Sequence, residues 1–266
     1  MSHKIKMIER VSEWRLLQAE DSEWQLGFVP TMGALHVGHM SLVKKAKQEN
    51  KLVAVSIFVN PAQFDNAEDL SKYPRTLERD LEMLQSANID FVYLPQAKEI
   101  YGDDYRYRIQ ETELSRNFCG AHRPGHFEGV LTVVMKLFQI VKPKRSYFGE
   151  KDYQQLKLIE GMTKAFFLET EVIGLPTARD ERGLALSSRN TRLSAEQKER
   201  AYAFAEILSE TLSLPSSEVI TQLEERGLKV DYVNDLSSDH LGDRYYRRLA
   251  AVWVDEIRLI DNRSLK

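Results

Sequence analysis

Eight residues, Leu52 to Val59 (LVAVSIFV), form a nearly continuous apolar run, and no other segment restricts the fold as much. A strand wetted on one face alternates apolar and polar side chains. A run that is apolar on both parities belongs to a sheet covered on both faces. The same texture recurs along the first two thirds of the chain. Gln25 to Pro30 (QLGFVP) reads as a strand ending at a turn, and Phe91 to Leu94, Ser146 to Gly149 and Glu171 to Gly174 read as further short strands. Helical spacing lies between them: after Gly38, with Leu42, Val43 and Ala46 on one side, then over Thr76 to Ala87, Gly129 to Val141 and Gln154 to Phe166. Strands alternating with helices predict an α/β fold with a mainly parallel, Rossmann-like sheet.

The last third reads differently. Ser194 is placed to cap a long charged helix running to about Ser213, and Pro215 precedes another. Lys229 to Val233 and Ala251 to Ile260 then read as strands of a smaller α+β unit. Gly174 and Pro176 put a hinge near Leu175–Thr177. The expected domains are therefore residues 1–176 and 177–266, with a cleft between them as the natural reaction site.

Composition narrows the functional classes. In 266 residues, 42% hydrophobic content supports a sizeable core. No stretch approaches the roughly 18 consecutive apolar residues that cross a bilayer, and Met1 to Arg10 lacks the apolar run of a secretion signal. The 37 Lys+Arg against 40 Asp+Glu leave a net charge of −3, which gives no overall attraction to nucleic acid. The single cysteine, Cys119, forbids an intrachain disulfide and fits a cytoplasmic protein. No internal repeat points to a solenoid.

Five segments carry chemistry. Pro30 to His39 (PTMGALHVGH) leaves a strand and enters a helix, with Gly33 and Gly38 permitting close backbone approach. His36 and His39 are three residues apart and face the same way on a first helical turn. Free N–H groups at a helix start favour phosphate, and neutral imidazoles can each donate one hydrogen bond to it. The alternative is a helix start with incidental histidines. In Asn60 to Arg75 (NPAQFDNAEDLSKYPR), Asn60 and Gln63 offer amides to a hydroxy acid at a strand's C-terminal end. Glu68 and Asp69 there could hold Mg²⁺ through water, or be a solvated acidic pair. Cys119 to Glu128 (CGAHRPGHFE) sets Arg123 to hold a carboxylate and His126 to orient an amine or take its proton. A zinc site from Cys119, His122 and His126 lacks a compact ligand pattern. In Phe148 to Gln155 (FGEKDYQQ), Gly149 permits a backbone-lined contact, Lys151 can neutralise phosphate and Asp152 can cap a helix or meet a ribose. Gln155 lies one turn beyond Lys151 and can face the same cleft. In Arg179 to Asn190, Ser187, Ser188 and Arg189 make a phosphate clamp, or a charged surface loop.

The set PTMGALHVGH, FVNPAQF with EDLSKYPR, RPGHFEGV, FGEKDYQQ and LSSRN resembles, in order and spacing, the pantothenate synthetase (pantoate–β-alanine ligase) family, strongly from Phe28 to Asn190 and in outline beyond. The resemblance implies a Rossmann-like domain with a smaller C-terminal lid, a homodimer, and ligation of pantoate to β-alanine through a pantoyl adenylate with ATP and Mg²⁺. It places Met32, Gly33, Ala34, Leu35, His36, Val37, Gly38 and His39 at ATP, with His39 as proton donor. It adds Gly149, Glu150, Lys151, Asp152, Ala178, Leu186, Ser187, Ser188 and Arg189 to the ATP site, and puts Gln63 and Gln155 on pantoate. His36, His39 and Lys151 are the expected catalytic groups. Asn60, Arg123 and His126 join the expected substrate contacts, and Glu68 and Asp69 the metal. Three positions depart from the family pattern: Leu186 for the usual Met, Arg182-Gly183 for Asp-Gly, and Asp65-Asn66-Ala67 for Gly-Pro-Asn. A nucleotidyltransferase of the same superfamily and a non-catalytic nucleotide sensor are the rival readings.

Overall fold

A computed structural model describes residues 4–20, 24–237 and 246–265; Met1 to His3 of the N-terminal stretch considered above lie outside them. The first part of the chain runs β1 (Lys6–Ile8), α1 (Val11–Glu20), β2 (Leu26–Thr31), α2 (Val37–Glu49), β3 (Leu52–Ile57), α3 (Ala67–Lys72), α4 (Leu77–Ser86) and β4 (Phe91–Tyr93). It continues through the short turns α5 (Ala97–Ile100) and α6 (Cys119–His122) to α7 (His126–Val141), β5 (Arg145–Gly149), α8 (Tyr153–Ala165) and β6 (Glu171–Leu175). The remainder is α9 (Ala195–Glu210), α10 (Ser216–Glu225), β7 (Lys229–Leu236), β8 (Arg247–Val254) and β9 (Ile257–Ser264).

Strands β1 to β6 form one sheet in the order β1-β4-β3-β2-β5-β6, with every pairing parallel. Side-chain alternation along β2 sends Phe28 to one face and Val29 to the other. Phe28 joins the apolar side chains of α1, α7 and α8, while Val29 joins Leu42, Val43 and Ala46 of α2 and Leu84 of α4. Both faces are covered, as the LVAVSIFV run requires. The chain passes from β2 outward to β3 and β4, then returns to the other side of β2 for β5 and β6. The direction of winding therefore reverses between β2 and β5. In open parallel sheets the crevice outside the carboxyl ends at such a reversal receives the ligand. The segments leaving these two strands are PTMGALHVGH and FGEKDYQQ.

Strands β7, β8 and β9 make a separate antiparallel sheet. Val233 and Val252 pack against α9 and α10, whereas Tyr232, Leu249 and Ala251 extend the core of the first sheet. The second unit is thus docked through shared apolar contacts. The single strand expected over Ala251 to Ile260 is two strands, because the chain reverses at Asp255–Glu256 with Asp255 at φ 53°. Strand β1 and helix α1 had no reading in the sequence. Helix α9 begins where expected: the Ser194 hydroxyl accepts from Gln197 N, and the Gln197 side chain accepts in return from Ser194 N.

Candidate active site

The loop between β2 and α2 is drawn into a tight curve by a residue far away in sequence. Asp80 of α4 is 1% exposed, and its carboxylate accepts from Ala34 N and Leu35 N, each at 2.8 Å, and from the Thr76 hydroxyl at 3.1 Å. Gly33 N donates to Thr31 Oγ1 at 3.1 Å. Gly33 sits at φ +78°, and a Cβ there would come 3.0 Å from both Asp80 Oδ2 and Ile57 Cγ2. The sequence reading missed Asp80, since nothing local links it to the loop.

This geometry corrects the expectation of a free N–H cradle. The N–H groups of Gly33, Ala34 and Leu35 are spent on side chains, His36 N donates to His39 Nδ1 at 3.3 Å, and Gly38 N donates to His36 Nδ1 at 3.1 Å. Both imidazoles accept at Nδ1, so in the neutral ring each proton sits on Nε2. The rings lie 4.0 Å apart between centroids and border one cavity. Burial, then the charge of Lys151, pushes His36 down to about 4; burial, then His36 and Lys151, pushes His39 down to about 3. The helix start therefore presents neutral Nε2–H donors.

These shifts give a stability prediction with a definite sign. The folded pKa values lie below the ordinary value of 6.5, so the unfolded chain takes up protons first as pH falls. The associated stability is complete above about pH 6.5 and is lost progressively toward pH 4 and 3. The urea midpoint is expected to fall over that range, and less steeply in His39→Ala. Equal slopes for the two proteins would refute the assignment.

The cavity at the reversal, about 250 Å³, is lined by Met32, His36, Gly38, His39, Asn60, Gln63, Arg123, His126, Gly149, Lys151, Asp152, Gln155, Ala178, Leu186, Ser187, Ser188 and Arg189. Five separate motifs thus meet in one place. Gly33, Ala34, Leu35, Val37 and Glu150 lie outside its lining: Leu35 is buried, Val37 is exposed, and Glu150 pairs with Arg247 at 3.0 Å. An apolar wall that the sequence reading did not assign to the site comes from Phe58, Phe64 and the α7 residues Val130, Val133, Val134 and Leu137. A larger space, about 410 Å³, continues from Arg123, Lys151 and Gln155 toward β7 to β9.

Asn60 is a positioning residue rather than a free contact. It is 1% exposed; its Nδ2 donates to Gln63 Oε1 at 2.9 Å and Gly129 O at 3.2 Å, and its Oδ1 accepts from the Tyr101 hydroxyl at 2.5 Å. Acceptance at Oε1 fixes the Gln63 amide so that its NH₂ is the free end. Gly129 lets α7 approach this turn: a Cβ there would lie 2.7 Å from Gln63 Cα. His126 has both ring nitrogens engaged, with Nδ1 at 2.7 Å from Gln63 O and Nε2 at 3.3 Å from Arg123. Burial, then Arg123, pushes it down to about 4, so it orients Arg123 rather than taking a proton from an amine. Arg123 also binds Asp65 at 3.0 Å, a partner supplied by the unusual Asp65-Asn66-Ala67 loop.

The clamp crosses onto the first sheet's loops. Ser188 Oγ donates to Ala34 O at 3.0 Å, so its proton is spent on the histidine loop, whereas Ser187 Oγ accepts from Arg189 N at 3.3 Å and keeps its own O–H for a phosphate oxygen. Arg189 reaches Asp69 at 2.7 Å and Arg192 reaches the same carboxylate at 3.6 Å, while Glu68 pairs with Lys72 at 2.6 Å. The expected metal pair is thus taken up by cations. Asp152 lies 3.5 Å from Lys151; burial raises its carboxyl pKa, but Lys151, Arg189 and His126 outweigh that and hold it below the ordinary value. Arg182, the other departure, pairs with Glu199 at 2.7 Å and lies over the Tyr202 ring at 3.8 Å. Cys119 is buried with Sγ 3.0 Å from the Tyr232 hydroxyl, apart from the partners of His126.

A doubly wound sheet whose reversal gathers three imidazoles, an ammonium and two guanidiniums around one cleft defines an α/β enzyme suited to a phosphate-bearing substrate. The pantoate-beta-alanine ligase family model matches residues 3–264. The pantothenate synthetase of Bdellovibrio bacteriovorus is 46% identical over 262 residues, covering 98% of this chain and 99% of the relative. That of Legionella pneumophila (strain Corby) is 47% identical over 259 residues, covering 97% and 99%. Among solved structures, the Francisella tularensis pantoate-beta-alanine ligase, complexed with beta-gamma ATP and beta-alanine, superposes with a TM-score of 0.91 at 40% identity and covers 98% of each chain. The Thermus thermophilus pantothenate synthetase superposes at 0.88 with 40% identity, covering 98% of this chain and 99% of its own. The chain belongs to the pantoate-β-alanine ligase family, and its activity is the ligation that forms pantothenate.

Proposed function

We propose that ligation proceeds in two steps within the cavity of about 250 Å³. Pantoate's carboxylate oxygen attacks the α-phosphorus of ATP, the bond to the bridging oxygen breaks, and pyrophosphate leaves. The amine of β-alanine then attacks the activated acyl carbon, loses a proton, and displaces AMP. Activation is needed because a carboxylate has no adequate leaving group of its own.

One observation carries this reading: His36, His39, Lys151 and Gln63 border the same space as an apolar wall. The imidazoles pass the helix-end polarity outward, accepting backbone N–H at Nδ1 and donating from Nε2 to phosphate. Their depressed pKa values favour hydrogen-bond donation over transfer of a proton from an imidazolium. Lys151 neutralises charge moving onto pyrophosphate, and Arg189 exchanges Asp69 for phosphate oxygens. Gly149, Asp152, Ala178 and Leu186 shape the nucleotide side, where a main-chain contact suits adenine. The Gln63 NH₂ and Gln155 meet pantoate's carboxylate and hydroxyls, while the α7 wall receives its two methyl groups. Arg123, held by His126, faces a second carboxylate, that of β-alanine. Mg²⁺ would enter on the triphosphate oxygens. Glu68 and Asp69 do not fit it as they stand, each being paired with a basic side chain. Residues 177–266 form the covering lobe that shields the adenylate from water. No helix among the described residues is long and apolar enough to cross a membrane. The single cysteine, buried and unpaired with another, supports a cytoplasmic enzyme. The family resemblance supports a homodimer.

The decisive experiment mixes protein, ATP, Mg²⁺ and pantoate, then adds β-alanine and identifies products by mass. AMP and pantothenate are expected, and a stable nucleotide–acceptor product would overturn the scheme. Gln63→Ala is expected to raise pantoate Kd by about tenfold, the effect of one hydrogen bond to a charged group. An unchanged Kd by calorimetry would remove Gln63 from the pantoate site.

A further inference from the structure

We infer that Asn262, on β9 of the second sheet, is a positioning residue for Lys151 and so sets the rate of the adenylation step; this rests on the phosphate role given to Lys151 above. Asn262 is 3% exposed and lies outside the lining of the cavity of about 250 Å³, on the border of the larger space. Its Nδ2 donates to Glu150 O at 2.8 Å and to Lys151 O at 2.9 Å. Its Oδ1 accepts from Arg247 at 2.7 Å, and the same guanidinium reaches Glu150 Oε2 at 3.0 Å. Both amide hydrogens are therefore used on two consecutive carbonyls of the turn Glu150–Asp152, and the amide's orientation is fixed by Arg247.

That turn lies directly after β5, at the sheet reversal. The second lobe braces its carbonyls through a side chain whose reach and planarity allow two parallel bonds. Asp261, the preceding residue, holds a different segment. Its carboxylate is fully buried and receives Arg179 in two bonds of 2.7 and 2.9 Å, and Arg179 also donates to Asn262 O at 3.1 Å. Arg179 begins the hairpin that runs from Ala178 to the Ser187–Arg189 clamp, closed by Leu186 N to Ala178 O at 2.9 Å. Two adjacent residues of one strand thus fix the lysine turn and the clamp relative to each other. A lysine terminus displaced by about 1 Å can cost about 100-fold in rate.

The test measures pyrophosphate release in a single turnover, without β-alanine, for Asn262→Ala, Lys151→Ala and the double variant. Asn262→Ala is expected to slow release by about 10- to 100-fold, with pantoate KM little changed. Asn262→Asp keeps the shape but turns an oxygen toward both carbonyls, and is expected to be no faster than Asn262→Ala. In the Lys151→Ala background, removing Asn262 is expected to add less than about threefold, because the two act through one group. A further full loss in that background, or a rescued rate in Asn262→Asp, would show that Asn262 matters only for packing and would overturn the inference. A slow Lys151→Ala beside a wild-type-like Asn262→Ala overturns the inference alone, whereas a wild-type-like Lys151→Ala overturns the phosphate role and the inference with it. Should Asn262→Ala fail to fold, Arg247→Met releases the same amide from its edge. It is expected to slow release by about tenfold with the same non-additivity, and a wild-type rate would overturn the inference.

Discussion

Lys151→Ala is expected to slow adenylate formation by about 10² to 10³-fold, the range seen when one preorganised donor to a developing negative charge is removed. The ammonium borders both the histidine-lined cavity and the space leading to the second sheet, and its side chain is mostly buried. Its nearest carboxylate, Asp152, stands at 3.5 Å, longer than a good charge-assisted hydrogen bond. The charge is thus held in place without being consumed, and triphosphate can claim it. Lys151→Arg should restore little, because a planar guanidinium cannot occupy the space of a compact ammonium. Quenched-flow measurement of pyrophosphate release at saturating ATP and pantoate reads the effect. A rate near wild type would remove Lys151 from the charge-stabilising role.

Asp80→Ala is expected to have the second large effect, on both stability and rate. The buried carboxylate supplies acceptors for two backbone N–H groups and one hydroxyl, and its removal orphans Ala34 N and Leu35 N. Hydrogen bonds to a charged acceptor contribute about 1.5–3 kcal/mol each, so a loss of about 2–4 kcal/mol is expected after partial relaxation. The loop also holds Ala34 at φ +49°, a conformation that a residue with a Cβ keeps only while surrounding contacts enforce it. Release of that curve would move His36 and His39 away from the cavity. Adenylation should therefore fall by about 100-fold or more even in the folded fraction. Urea unfolding and single-turnover kinetics on the same sample separate the two effects. A rate that tracks only the folded fraction would leave Asp80 a purely structural residue.

The elements legible in advance were those with a local signature. Strands β2 to β6 announced themselves as short apolar runs, and α9 through the reciprocal Ser194–Gln197 cap. The hairpin between β8 and β9 stayed hidden because its reversal takes only Asp255 and Glu256 inside a mainly apolar stretch. Strand β1 is three residues long, too short to show a period. At the site, residue types and their motifs were legible, but their hydrogen-bond assignments were not. Ser188 and Asn60 have side chains suited to a ligand, yet each finds a protein partner first. The acids at positions 68 and 69 are met by Lys72, Arg189 and Arg192, two of them arriving from a segment more than a hundred residues away.

Sequence alone determined the kind of sheet, because burial on both faces is written into the inner strands β2 to β5, and it determined the chemical groups of the site and their order along the chain. Tertiary structure decided what each group is free to do. Whether a backbone N–H, an amide or a carboxylate faces a substrate depends on whether some distant side chain has already paired with it, as Asp80 has with the histidine loop and Asn262 with the lysine turn. Such pairings are set by how layers pack, and packing brings together residues whose separation in the chain carries no local trace.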